Sequence, residues 1–146
     1  MYGKIMLIHG PNLNMLGIRQ PEIYGTTTLS EIESLMEKKA DEAGVLLECF
    51  QSNSEGALID AIQSTYRRAD GIILNAGAYT HYSYAIRDAI ASVMVPTVEV
   101  HLSDIHSRED FRRISVIEPV CVRQICGMGV DGYIAALEEL MRNHVR

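Results

Sequence analysis

Glu99 and His101 stand two apart in the run PTVEVHL, which reads as a strand, so both side chains point to one face. A carboxylate beside an imidazole fixes its tautomer and favours its protonated form, which makes the pair a candidate general acid near neutral pH. The same pair would also fit a histidine hydrogen-bonded for structure alone. Tyr24 and Arg19 lie five residues apart in GPNLNMLGIRQPEIYG. A phenol, with an ordinary pKa of about 10, is a poor base in water, and a neighbouring guanidinium favours the phenolate. Asn75 and His81 bracket NAGAYTH, and His81 is expected to open a helix whose free N–H groups favour an anion. A turn asparagine and an ordinary helix cap would leave the same residues there. Arg108 and Arg112, four apart on an expected helical turn, share a face. One is expected to fix an anionic or polyhydroxy ligand and the other to be a surface charge.

These residues need a scaffold, and the hydrophobic periodicity supplies one. Lys4 to His9, Val45 to Phe50, Gly71 to Leu74, Pro96 to Leu102 and Val120 to Cys126 read as five strands. Between them lie helical patterns. The first opens on the capping box Thr28-Leu29-Ser30-Glu31, carries Leu29, Ile32, Leu35 and Met36 inward, and stops at Gly44. The second opens on a Ser52–Glu55 box, places Leu58, Ile59, Ile62 and Tyr66 inward, and ends near Arg68. The third runs from about Tyr82 to Val93 with Ala85, Ile86, Ala89 and Ile90 inward, and the last from about Asp131 to Asn143. The strands are apolar runs without clean alternation and they alternate with helices, which argues for a parallel sheet covered on both faces. The expectation is one domain over 1–146: a flavodoxin-like three-layer sandwich with a five-stranded parallel sheet in the order 2-1-3-4-5.

In such a sheet ligands bind beyond the carboxyl ends of the strands, where the order reverses. That rule brings together the loops at 10–25, 75–81 and 101–112, the loops richest in reactive side chains. The 10–25 loop is much longer than the usual 2–6 residues between strand and helix. Its two prolines and three glycines forbid a continuous helix, and it reads as a lid.

Composition narrows the classes. A net charge of −6 argues against a nucleic-acid partner, because phosphate binding needs a basic surface. No apolar run is long enough to cross a membrane. The opening MYGKIMLIHG has a short strand-like apolar run and no cleavage pattern, so a secretory leader is not expected. Cys49, Cys121 and Cys126 each lie in an apolar strand-like run, without metal spacing, and are expected to be buried thiols of a cytoplasmic protein. His101, Asp104 and His106 fit no familiar zinc pattern. The lysines, at 4, 38 and 39, are badly placed for Schiff-base chemistry. Gly127, Gly129 and Gly132 match the dinucleotide fingerprint, but no second strand bearing an acid can follow before Arg146, so they read as a tight turn and close helix packing.

Taken together, GPNLNMLGIRQPEIYG, NAGAYTHYSYAIRDA and PTVEVHLSDIHSREDFR, in this order and spacing, resemble the type II 3-dehydroquinate dehydratases over essentially the whole chain. The resemblance implies loss of water from 3-dehydroquinate to give 3-dehydroshikimate, by anti elimination through an enolate, in the shikimate route to aromatic amino acids or in quinate breakdown. It implies no cofactor, no metal and no Schiff base. It makes Tyr24 the base that takes the proton alpha to the ketone, Arg19 the lid cation, and His101 the acid for the departing hydroxyl, oriented by Glu99. Asn12 would hold a water near the enolate oxygen. Asn75, His81 and Arg112 would bind substrate oxygens, and Leu102 and Ser103 would receive the carboxylate, partly through backbone N–H groups. Asp88 would reach a neighbouring subunit's site in a homododecamer built from trimers. Tyr82 and Tyr84 stand where smaller residues would be less surprising and bear on packing between subunits. The competing reading, a non-catalytic flavodoxin-like module for a small ligand such as FMN, is disfavoured because the first loop lacks a hydroxyl- and glycine-rich phosphate cradle.

Overall fold

The computed structural model describes residues 3–145; the expected 1–146 span begins and ends outside the described residues. Strands β1 (Lys4–His9), β2 (Leu46–Gln51), β3 (Gly71–Asn75), β4 (Thr97–His101) and β5 (Arg123–Cys126) form one sheet in the order β2-β1-β3-β4-β5. Every pairing is parallel, with Ile5 opposite Leu47 and Gly71, Ile73 opposite Val98, and Val100 opposite Ile125. This is the flavodoxin-like order expected from the alternation of strands and helices.

Alternation along each strand divides the core in two. Ile5 and Leu7 face α2 (Leu29–Ala43) and α5 (Asp131–Asn143), where Ile32, Met36, Ala40, Ala136, Leu137 and Leu140 pack against them. Met6 and Ile8 face the opposite layer, α3 (Glu55–Ser64) and α4 (Tyr84–Val93), through Leu58, Ile62, Ile86, Ala89, Ile90 and Val93. Burying each of the valine, leucine, isoleucine and methionine side chains among them contributes roughly 1.5–3 kcal/mol, so the two layers hold the sheet from both sides. The central strands β3 and β4 are buried throughout, whereas the edge strand β2 leaves Leu46 exposed.

Several element boundaries differ from the sequence expectation. Thr28 does cap α2, its hydroxyl accepting from the Glu31 N–H at 3.2 Å, and Gly44 ends it in the left-handed region. The cap of α3 is Ser54, not Ser52: its hydroxyl accepts from the Ala57 N–H, while Ser52 accepts from the Ser54 N–H at 3.0 Å. That helix stops at Ser64, because the Thr65 hydroxyl turns back to the Ile62 carbonyl and Arg67 adopts φ 58°. Tyr66 is therefore exposed and not part of the inward stripe. Helix α4 begins at Tyr84, capped by Ser83, which leaves Ala85 on its outer side. Strand β5 starts at Arg123, since Pro119 sits in a 3-10 turn over Glu118–Val120, and Cys121 lies before the strand. Burial pushes the Cys49 and Cys126 thiols up to about 12 and raises Cys121 as well, so all three are held as neutral thiols. The expected tight turn at Gly127–Gly129 is present, and a Cβ at Gly132 would meet Ile125 and Val100 at 3.4 and 3.5 Å. No described helix is long and apolar enough to cross a membrane.

Candidate active site

The carboxyl ends of β1, β3 and β4 open into one pocket, lined by Asn12, Arg19, Tyr24, Asn75, His81, His101, Leu102, Ser103, Arg108 and Arg112. All three loops expected at the switch point contribute to it. The 10–25 segment carries two short pieces of structure that the sequence reading did not foresee. Leu13–Met15 is a 3-10 turn, and Pro21–Tyr24 is a single helical turn, α1, with Pro21 at its first position. Leu13 and Leu16 are buried under it and fix the segment to the core on the α2 and α5 side. Gly10 allows the chain to leave β1 close to β3: a Cβ there would lie 2.5 Å from the Ala76 carbonyl oxygen.

Tyr24 closes α1 and points back over the pocket. The Arg108 Nη1 donates to its hydroxyl oxygen at 2.7 Å and to the Ser103 hydroxyl at 3.4 Å. Both Arg19 and Arg108 also lie over the Tyr24 ring, at 4.8 and 5.1 Å from its centre. Two guanidiniums thus flank one phenol, a cationic setting for any charge developing on its oxygen. The four-residue spacing of Arg108 and Arg112 predicts a helical pair with one ligand-binding member and one surface charge, and the structure departs from this. The segment instead makes two 3-10 turns, Ile105–Ser107 and Asp110–Arg113, and both arginines turn inward to line the pocket. Arg112 is held by Glu109 at 3.1 Å.

Glu99 lies fully buried behind His101 and does not itself line the pocket. Its Oε2 meets His101 Nε2 at 2.6 Å and accepts from the Thr80 and Ser115 hydroxyls at 2.7 and 2.8 Å. Gln124 Nε2 donates to Oε1 at 3.2 Å. Burial would raise the Glu99 carboxyl, but the hydrogen bond and charge of His101, with the two hydroxyls, outweigh it and hold the carboxyl below its ordinary value. A fixed carboxylate on Nε2 leaves Nδ1 of His101 for a ligand. Thr80 and Ser115 were not foreseen, because hydroxyls in aperiodic turns give no signal until the turns are placed; Gln124 lies on β5 opposite Glu99, a pairing that only the strand register reveals.

His81 does not open a helix. It ends a 3-10 turn over Gly77–His81, three residues before α4 begins. Its position comes instead from Nδ1, 2.8 Å from the Ile114 carbonyl, and from an edge contact with Phe111. Burial lowers its pKa, so the neutral ring donates through Nδ1–H and keeps Nε2 as an acceptor. Asn75 is buried, with Nδ2 donating to the Tyr133 hydroxyl at 2.9 Å and Oδ1 accepting from the Gly77 N–H at 3.1 Å. Leu102 and Ser103 are braced by the glycine turn, whose Gly129 and Gly127 N–H groups donate to their carbonyls at 3.1 Å. Asp88 lies exposed on α4 and is not among the residues lining this chain's pocket. Asp104 accepts from the His106 N–H, and among the described residues no group of three or more metal-ligating side chains comes together.

Residues 3–141 match the model of a protein family described as dehydroquinase class II. The chain belongs to the class II dehydroquinases. Among its relatives, the 3-dehydroquinate dehydratase of Pelotomaculum thermopropionicum is 56% identical over 92% of this chain and 93% of its own length. That of Geotalea daltonii is 54% identical over 98% and 99%. The crystal structure of the type II dehydroquinase from Butyrivibrio crossotus superposes with a TM-score of 0.93 at 51% identity, covering 95% of this chain and 97% of that one. The class II dehydroquinase fold and this chain's strand order therefore agree over nearly the whole sequence.

Proposed function

We infer that this class II dehydroquinase removes water from 3-dehydroquinate to give 3-dehydroshikimate, the dehydration step of the shikimate route to aromatic amino acids. The observation that carries the reading is the pairing of two opposed groups at one pocket: a phenol clasped by two guanidiniums and an imidazole backed by a buried carboxylate. Elimination from a hydroxyketone needs a base for the proton alpha to the carbonyl and an acid for the leaving hydroxyl.

Tyr24 is the base in this reading, with Arg108 donating to the oxygen on which charge develops and Arg19 lying over the ring. His101 is the acid: as an imidazolium it keeps its Nε2–H on the Glu99 carboxylate and gives the Nδ1 proton to the departing hydroxyl, which leaves as water. The two arrive from different elements, α1 and β4, which suits delivery to opposite faces of a ring in an anti elimination. Asn12 holds a water at the enolate oxygen. Asn75, His81 and Arg112 bind the substrate's oxygens, and Leu102 and Ser103 receive its carboxylate, supported by the glycine turn behind them. An acid and a base placed this way each contribute typically 10²–10⁴-fold.

The 10–25 segment serves as a lid on a single catalytic domain. The free space beneath it is about 40 Å³, room for a few waters, so a ring bearing a carboxylate requires the lid to open. The functional unit in this reading is a homododecamer built from trimers. Tyr82, Tyr84, Phe111 and Ile114 are exposed around His81, and Asp88 stands on the same side of α4 as Tyr84, four residues before it. That arrangement suits a neighbour whose site receives Asp88. The setting is cytoplasmic, in keeping with three thiols that remain unpaired. The FMN-module alternative has no support in the 10–25 segment, whose polar side chains lining the pocket are Asn12, Arg19 and Tyr24 in place of a phosphate cradle.

The test is enone absorbance on adding 3-dehydroquinate to purified protein, with and without borohydride. A signal untouched by borohydride is expected; no signal from correctly assembled protein would end this reading.

A further inference from the structure

Asn12 occupies a conformation that its own chemistry does not select. Its φ of 69° and ψ of −2° place a non-glycine residue in the left-handed region at the root of the 10–25 segment. Asparagine tolerates this region better than most residues, but something must hold it there. The backbone around it offers one hydrogen bond onward, from the Met15 N–H to the Asn12 carbonyl at 3.0 Å. The Asn12 N–H points away from that turn, to the Oδ1 of Asn53 at 3.0 Å.

Asn53 comes from the loop between β2 and α3, 41 residues along the chain, and it is itself tied down from both sides. Gln51 Nε2 donates to the same Oδ1 at 3.2 Å and to the Gly10 carbonyl at 3.2 Å. The Tyr79 hydroxyl donates to the Asn53 carbonyl at 2.9 Å. On the far side of Pro11, the chain is pressed against Gly77, where a Cβ would stand 3.0 Å from the Pro11 carbonyl oxygen. Three loops, after β1, β2 and β3, thus converge on one backbone amide.

We propose that Asn53 is a positioning residue: its side-chain oxygen, set by Gln51 and Tyr79, fixes the backbone of Asn12 and so aims the Asn12 side chain into the pocket. The proposal rests on the reading of Asn12 given above, in which that side chain acts at the developing enolate. It requires an acceptor at position 53, since the hydrogen bonds that side chain makes among the described residues run through Oδ1.

The requirement gives a discriminating set of variants. Asn53→Ala removes the acceptor from an exposed residue, so the chain is expected to fold with little change in its thermal midpoint. Its kcat for enone formation is expected to fall about 3- to 10-fold, the worth of one hydrogen bond, with KM nearly unchanged because the group it aims acts in the transition state. Asn53→Asp keeps the acceptor and is expected to restore most of kcat. In an Asn12→Ala background, Asn53→Ala is expected to cost little further, because the two residues act as a unit. Wild-type kcat in Asn53→Ala, a loss that Asn53→Asp does not repair, or a full additional loss in the Asn12→Ala background would each overturn the proposal. Failure of the wild-type protein to turn over 3-dehydroquinate would instead remove the functional reading on which it rests.

Discussion

The side chains that declare themselves by type and spacing are those tied to a regular element. Glu99 and His101 are legible because a strand forces residues two apart onto one face, and the structure joins them at 2.6 Å. Arg108 was not legible, because its direction depends on two consecutive 3-10 turns whose path leaves no period in the sequence. Its consequence is the larger for that: Arg108 makes the only hydrogen bond to the Tyr24 hydroxyl among the described residues, while Arg19 contacts only the ring face. A charge-assisted hydrogen bond contributes about 1.5–3 kcal/mol, so Arg108→Gln is expected to lower kcat by roughly 10- to 100-fold. Enone formation at saturating substrate measures it. A rate equal to wild type would mean that Arg19 alone supplies the charge the phenol needs.

At the level of elements, the strand order and the placing of four long helices followed from apolar periodicity, and the ends did not. Ser52–Glu55 resembles a capping box, yet Ser54 is the cap, and the Glu55 carboxylate instead accepts from the Ser83 hydroxyl at 2.6 Å, tying α3 to the start of α4. The choice between two serines two apart is decided by the direction in which β2 delivers the chain, a tertiary fact. The 10–25 segment shows the same limit: its length and its Arg19 and Tyr24 were readable, its helical turn over Pro21–Tyr24 was not. That turn matters, because it moves Tyr24 and its neighbours as one piece. Given the small space beneath it, hydrogen exchange of the amides from Leu16 to Gly25 is expected to be fast without ligand and to slow on saturation with 3-dehydroquinate. Equal protection in both states would contradict a lid.

For the molecule as a whole, two carboxyls link stability to pH. The His9 ring, 3.5 Å away, holds the Glu33 carboxyl low, and the Glu99 carboxyl is held low against its burial by His101, Thr80 and Ser115. In each case the folded chain favours the carboxylate more than the unfolded chain does. Their contribution is therefore whole above the ordinary carboxyl value of 4.5 and is lost as pH falls through and below it. Thermal unfolding is expected to show a midpoint that drops on acidification from pH 6 toward pH 3, with a shallower drop in Glu99→Gln; an unchanged slope in that variant would remove Glu99 from the linkage. The central claim is that a doubly wound sheet brings a base on α1 and an acid on β4 to one substrate. It is tested most directly by enone formation in Tyr24→Phe at saturating 3-dehydroquinate, with binding of the substrate measured in parallel. Turnover is expected to fall by about 10²–10⁴-fold with binding largely kept. Full turnover in that variant would contradict it.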